Sequence, residues 1–127
     1  KKPYQIHAFE LDKVSLKSLD IAARKESFGN RVKTKVRDLK NFPLTSDELS
    51  KYDAIIVDPP RSGAKLQFLN IARSKVSIII SISCNVNTFV RDAKILIESN
   101  YELKWVQPID QFLFSAHVEL VAIFQLK

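Results

Sequence analysis

The chain has 127 residues, a formal net charge of +6 at neutral pH, 46% hydrophobic and 27% charged residues. That is the composition of one folded domain with a real core; it excludes a disordered tail and, with no apolar run of about 18 residues, a membrane-spanning helix. One cysteine excludes an intramolecular disulfide framework, and with two histidines it leaves too few ligands for a closed zinc site, so no metal is expected. The basic balance is compatible with an acidic partner such as nucleic acid without requiring one. A lone thiol fits a reducing, cytoplasmic setting, and no secretory signal is visible before Tyr4. There is no methionine, so the chain is expected to be a portion of something longer.

In chain order, residues 4–9 read as a short strand. Asp12 then caps a helix to about Phe28, with Leu16, Leu19 and Ala23 on one face and Gly29 as a left-handed C-cap. Residues 31–37 alternate basic side chains with Val32, Thr34 and Val36, the period of a strand with one wet face. Residues 41–50 read as a loop with room for one helical turn. An apolar strand at 53–57 is stopped by Asp58-Pro59-Pro60-Arg61-Ser62-Gly63, because two prolines cannot sit in a central ladder. A helix over 64–74 follows. Residues 76–82 form a strand apolar on both faces, as in a parallel sheet covered by helices, and it runs into Ser83-Cys84-Asn85. Thr88 is expected to cap a helix to Ser99 with Phe89, Ala93 and Leu96 as its buried stripe. Strands at 101–107 and 118–126 close the chain, joined by a loop carrying Pro108, Asp110, Phe112 and His117. Strands alternating with helices predict an α/β, mostly parallel sheet, and the helix-free connection between the last two strands predicts that one of them runs antiparallel.

Ligands of open α/β sheets sit beyond the carboxyl ends of the strands. Glu10, Asp58 and Cys84 fall at or near such ends, and Asp38 follows the strand at 31–37. Asp58 is held by a stiff proline turn, which aims its polar atoms with little entropy left to lose; the plain alternative is a rigid strand-ending turn with an exposed acid. Cys84 lies between a buried strand and a helix N-terminus, where a thiolate is stabilised; taken alone it reads as a structural thiol. Glu119 is the single acid in the run Val118 to Phe124, either exposed at a strand start or kept for proton transfer. His7 and His117 read as ordinary polar neighbours. Arg31, Lys33, Lys35 and Arg37 share a strand face that suits phosphate contacts, or more simply a charged edge strand resisting aggregation. Phe112 and Phe114 suit base stacking or packing.

Three motifs together, Asp-Pro-Pro-Arg-Ser-Gly (58–63), Ser-Cys-Asn-x-x-Thr-x-x-Arg-Asp (83–92) and Asp-x-Phe followed by His-Val-Glu (110–119), resemble those of the RNA uracil-C5 methyltransferases, which make 5-methyluridine in tRNA or 23S rRNA. The resemblance spans nearly the whole chain and is strongest from Tyr52 to Phe124. It implies the C-terminal part of a Rossmann-like class I methyltransferase domain. The first strand and glycine-rich loop would lie upstream of Tyr4; that strand belongs between the strands at 4–9 and 53–57, so its absence leaves raw edges open to self-association. It implies S-adenosylmethionine as cofactor and RNA as partner. Cys84 becomes the nucleophile and Glu119 the base. Glu10 becomes the acid on the cofactor ribose, Asp38 the residue near the adenine, and Asp58 the acid of the cofactor and target pocket. Arg61 and Asn85 fall to the RNA side. Val86 stands where a proline usually follows Cys-Asn, and Asp110-Gln111-Phe112-Leu113 replaces the usual Asp-Met-Phe-Pro. Two other readings compete. An amino-group methyltransferase with an Asp-Pro-Pro loop would carry an aromatic where Arg61 stands and would have no work for Cys84. A non-catalytic RNA-binding module would need neither Cys84 nor Glu119.

Overall fold

The computed structural model describes residues 4–110 and 118–127. They form two compact units, residues 1–43 and 44–127, and two sheets, with strand orders β1-β2 and β3-β4-β6-β5. Among the described residues no helix is long and apolar enough to cross a membrane.

The first unit is a β-α-β turn of chain. Strands β1 (Ile6–Glu10) and β2 (Val32–Val36) pair in parallel, with Glu10 beside Val36. Between them, α1 (Lys13–Lys25) starts where Asp12 accepts the Val14 and Ser15 amides, and ends with Arg24 and Lys25 in the last turn, where cations suit the helix dipole. Leu16 and Ala23 are buried as expected, but Leu19 is exposed: two strands offer a narrow surface, and the helix turns only part of its predicted stripe onto it. The expected left-handed cap at Gly29 is displaced to Ser27, with φ 61°. The Glu26 amide has already closed the helix on the Ala22 carbonyl, so the chain reverses two residues early.

The second unit carries the four-stranded sheet. The short helix α2 (Ser46–Leu49) opens on a reciprocal cap between Thr45 and Glu48. Strands β3 (Ala54–Val57) and β4 (Ile78–Ser83) pair in parallel across α3 (Lys65–Ser74). Helix α4 (Val86–Glu98) leads to β5 (Tyr101–Ile109) and β6 (Glu119–Leu126). As expected, one terminal strand is antiparallel: β6 runs against both β4 and β5. Pro108 lies in β5, the edge strand, where a missing amide is tolerated.

Alternation divides this sheet into two faces. Ile79, Ser81 and Ser83 of β4 and Leu120, Ala122 and Phe124 of β6 are buried on one face, with Phe68 and Ile71 of α3 and Leu96 of α4 also in the core. The Phe89 and Phe124 rings meet at 6.4 Å, which sets α4 against that face. Tyr101 is wholly buried there and donates to the Val76 carbonyl at 2.8 Å; burial raises its hydroxyl above the usual tyrosine range. On the opposite face Ile56, Ile78, Trp105 and Ile109 are exposed, Ile56 by 68%.

Candidate active site

The carboxyl ends of β3 and β4 and the start of β6 lie at one end of the second sheet, because β6 runs against β4. The β4–β6 ladder closes on the pair Ser83 and Leu120. Cys84 is the next residue after β4, and Glu119, the first residue of β6, directly precedes Leu120, so the two border the last pair of the ladder. By alternation Glu119 shares the sheet face of Val121 and Ile123, away from α4. Both Cys84 and Glu119 are half-buried, neither sealed in the core nor turned fully to solvent. Glu119 pairs with Ile109 of β5.

Asp58 follows β3, whose last pair matches Val57 with Ser81. Asp58 is the residue next after β3, at the same end of the sheet as Cys84. It is exposed, as are Pro60 and Arg61.

Behind Cys84, Asn85 caps α4: its side-chain oxygen accepts the Asn87 amide at 2.9 Å and the Thr88 amide at 3.3 Å. This corrects the expectation that Thr88 is the cap. An extended residue with φ −143° close after the strand already supplies the acceptor, so the helix starts three residues sooner. Val86 is then the first residue of the helix, whose amide needs no intrahelical partner; this is the position where proline is favoured.

The Asp58–Gly63 loop is fastened to α4. Thr88 Oγ1 donates to the Arg61 carbonyl at 3.0 Å, Arg91 Nη2 donates to the Ser62 carbonyl at 3.2 Å, and Asp92 Oδ2 accepts the Ala64 amide at 2.9 Å. From the sequence Thr88 is expected only as a helix cap, and Arg91 and Asp92 have no role. Their spacing, i, i+3 and i+4, puts them on one helix face and was the available signal.

In the first unit, Glu10 ends β1 and its Oε1 accepts the Leu11 and Asp12 amides at 2.6 and 3.0 Å. Asp38 closes the turn after β2: Oδ1 accepts from the Lys40 and Asn41 amides and Oδ2 from Asn41 Nδ2 at 2.7 Å. The Asn41 side chain and amide hold the Asp38 carboxyl below the usual aspartate range. Of the basic residues on β2 and its flanks, Arg37 donates to the Phe42 and Pro43 carbonyls and Arg31 lies 4.9 Å over the Tyr4 ring. Half of that basic row is thus engaged internally. Phe112, Phe114 and His117 lie outside the described residues.

The family model for tRNA (uracil-5-)-methyltransferases matches residues 4–126. The chain belongs to that family. Among the relatives of this tRNA (uracil-5-)-methyltransferase family chain, it is 46% identical over 121 residues to an uncharacterized RNA methyltransferase of Agrobacterium fabrum, covering 95% of this chain and 29% of the relative. It is 47% identical over 119 residues to another from Mesorhizobium japonicum, covering 94% and 29%. The chain thus spans less than a third of the curated relatives it matches. Among solved structures, a geranyl diphosphate C-methyltransferase from Streptomyces coelicolor bound to S-adenosyl-L-homocysteine superposes with a TM-score of 0.69 at 8% identity, covering 98% of this chain and 64% of that one. A B. subtilis tRNA methyltransferase gives 0.65 at 14%, covering 97% and 50%. These likenesses carry the fold: the Rossmann-like architecture of class I methyltransferases, as expected from the sequence.

Proposed function

We propose that the protein containing this chain methylates C5 of a uridine in RNA, using S-adenosylmethionine, with Cys84 as nucleophile and Glu119 as base, and that residues 1–127 are the C-terminal portion of its catalytic domain. The observation that supports this reading is the β4–β6 pairing, whose last pair, Ser83 with Leu120, is followed by Cys84 on one strand and preceded by Glu119 on the other, at the carboxyl ends of β3 and β4.

The chemistry explains why both groups are needed. Uracil C5 is a poor nucleophile. Addition of the Cys84 sulfur to C6 breaks the C5–C6 π bond and delivers its electron pair through C5 to the O4 enolate. The positive end of α4 lies next to Cys84, a setting that favours negative charge. C5 can then take a methyl group while still holding its proton. Glu119 removes that proton, the C5–C6 double bond re-forms, and the sulfur leaves. The target base must leave its stack to reach the pair, by flipping or from a single-stranded loop.

The described residues fit the cofactor at its ribose end. Glu10 presents a carboxylate at a strand terminus, with Oε1 fixed by two backbone amides, a suitable acceptor for two adjacent hydroxyls. The Asp38 turn stands at the end of the neighbouring strand; its carboxylate is spent on its own loop, so its part beside the adenine is to shape that turn. When bound, the cofactor supplies an electrophilic methyl group. Asp58 borders the same end of the sheet as Cys84. Arg61 adds positive charge for phosphate or enolate. Asn85 commits its carboxamide oxygen to the α4 cap, which leaves recognition of RNA to its Nδ2 amide.

The test is nucleoside analysis by mass spectrometry of tRNA and 23S rRNA transcripts incubated with the full-length protein and S-adenosylmethionine. The expected product is 5-methyluridine in one of them. A methylated exocyclic amine would favour the Asp-Pro-Pro amino-group chemistry, and tight RNA binding without any methylation would favour a non-catalytic module.

A further inference from the structure

We propose that Thr88, Arg91 and Asp92 are positioning residues that clamp the Asp58–Gly63 loop to helix α4, so that Asp58 and Arg61 move as one body with Cys84. The inference rests on the function proposed above and adds to it residues that carry no chemistry themselves.

Three hydrogen bonds hold three successive points of the chain. Thr88 Oγ1 lies 3.0 Å from the Arg61 carbonyl and 3.2 Å from that of Asn85. It has one proton to give. The Asn85 carbonyl already accepts the Phe89 amide at 3.0 Å and Ser83 Oγ at 3.1 Å, which assigns the proton to Arg61. Arg91 bridges the Ser62 carbonyl and Asp92 Oδ1, the latter through Nε at 2.8 Å and Nη2 at 2.7 Å. Asp92 is 2% exposed, and its other oxygen accepts the Ala64 amide. Ala64 is the N-cap of α3 and has no side chain to cap it. A carboxylate borrowed from α4 takes that place, with its negative charge at the positive end of α3.

Gly63 shows how closely the loop is drawn in. It adopts φ 73°, and a Cβ there would run into Arg91, Asp92 and Thr88. The same α4 is capped by Asn85, one residue after Cys84. The clamp therefore spans a short, rigid path from the nucleophile to the loop bearing Asp58 and Arg61. A misplacement of about 1 Å in a reacting constellation can cost on the order of a hundredfold in rate.

The experiment uses the full-length protein. Single-turnover formation of the covalent adduct with 5-fluorouridine RNA is compared for wild type, Thr88→Val and Thr88→Ser, alongside thermal melting and hydrogen exchange at the Gly63 and Ala64 amides. Thr88→Val keeps the branched shape and removes the donor. The expected result is a roughly tenfold to hundredfold slower adduct, an unchanged melting temperature, faster exchange at both amides, and restoration by Thr88→Ser. Wild-type adduct rates in Thr88→Val, or a loss that disappears when rates are counted per folded molecule, overturn the proposal. Unchanged exchange overturns the clamp alone. A wild type that forms no adduct overturns the proposed function and with it the purpose of the clamp.

Discussion

At the scale of single residues, the proposed work is divided between a sulfur and a carboxylate that are distant in sequence and border the last β4–β6 pair. Replacement of Glu119 by Gln should leave addition of Cys84 intact and block loss of the C5 proton. The expected outcome is a methylated protein–RNA adduct on ordinary uridine RNA, detectable as a mass shift on the Cys84 peptide; free 5-methyluridine released at the wild-type rate would remove Glu119 from the mechanism. Asp38 offers a test through pH. Its folded carboxyl titrates below the usual 3.8 because Asn41 hydrogen-bonds its charged form. The stability this lends is present in full above that value and is lost as pH falls through the lower, folded one. Asn41→Ala should move the Asp38 titration up toward the ordinary aspartate value, read by NMR. Val86 gives a third test. It occupies the first helical position, and Asn85 before it is already extended, the conformation a following proline demands. Val86→Pro should therefore stabilise the protein by about 0.4–1 kcal/mol, chiefly by restricting the unfolded chain, measured by denaturant unfolding.

At the scale of elements, the strands and helices were legible because each carries a simple signal: alternation at 32–36, an unbroken apolar run at 54–57, an isoleucine-rich run at 78–83, a cap at Asp12. The misses were at helix ends. Gly29 and Thr88 are residue types that often end and begin helices, but Ser27 and Asn85 stood nearer the point where backbone groups needed partners, and proximity decided. The antiparallel β6 was legible from the missing crossover helix. Its register was not, since pairing depends on where the chain returns; it ends on Ser83 and Leu120, the neighbours of Cys84 and Glu119. The clamp was invisible for a related reason: Thr88, Arg91 and Asp92 act on carbonyls and an amide, which any sequence supplies. Its energetic side is testable at Gly63. Gly63→Ala should destabilise the fold by about 1–2 kcal/mol from the left-handed backbone alone, and by more once Arg91 and Asp92 must move. An unchanged melting temperature would mean that the loop is not held as described.

At the scale of the whole molecule, the four-stranded sheet is covered on the α4 side and leaves Ile56, Ile78, Trp105 and Ile109 exposed on the other. Exposed apolar surface of this kind in a chain spanning 29% of its relatives is what a portion of a larger domain would present. The 127 residues alone should bind an apolar-surface dye and bind S-adenosylmethionine weakly, whereas the full-length protein should do the reverse; micromolar cofactor binding by the short chain in calorimetry would refute this. The central claim concerns the larger protein and is tested most directly by covalent trapping. A uridine bearing fluorine at C5 has no proton for Glu119 to remove, so the account predicts a stable adduct between 5-fluorouridine RNA and the full-length protein in the presence of S-adenosylmethionine, mapped by peptide mass spectrometry to Cys84 and absent in Cys84→Ala. No adduct in the folded wild type, or one that persists in Cys84→Ala, would contradict it.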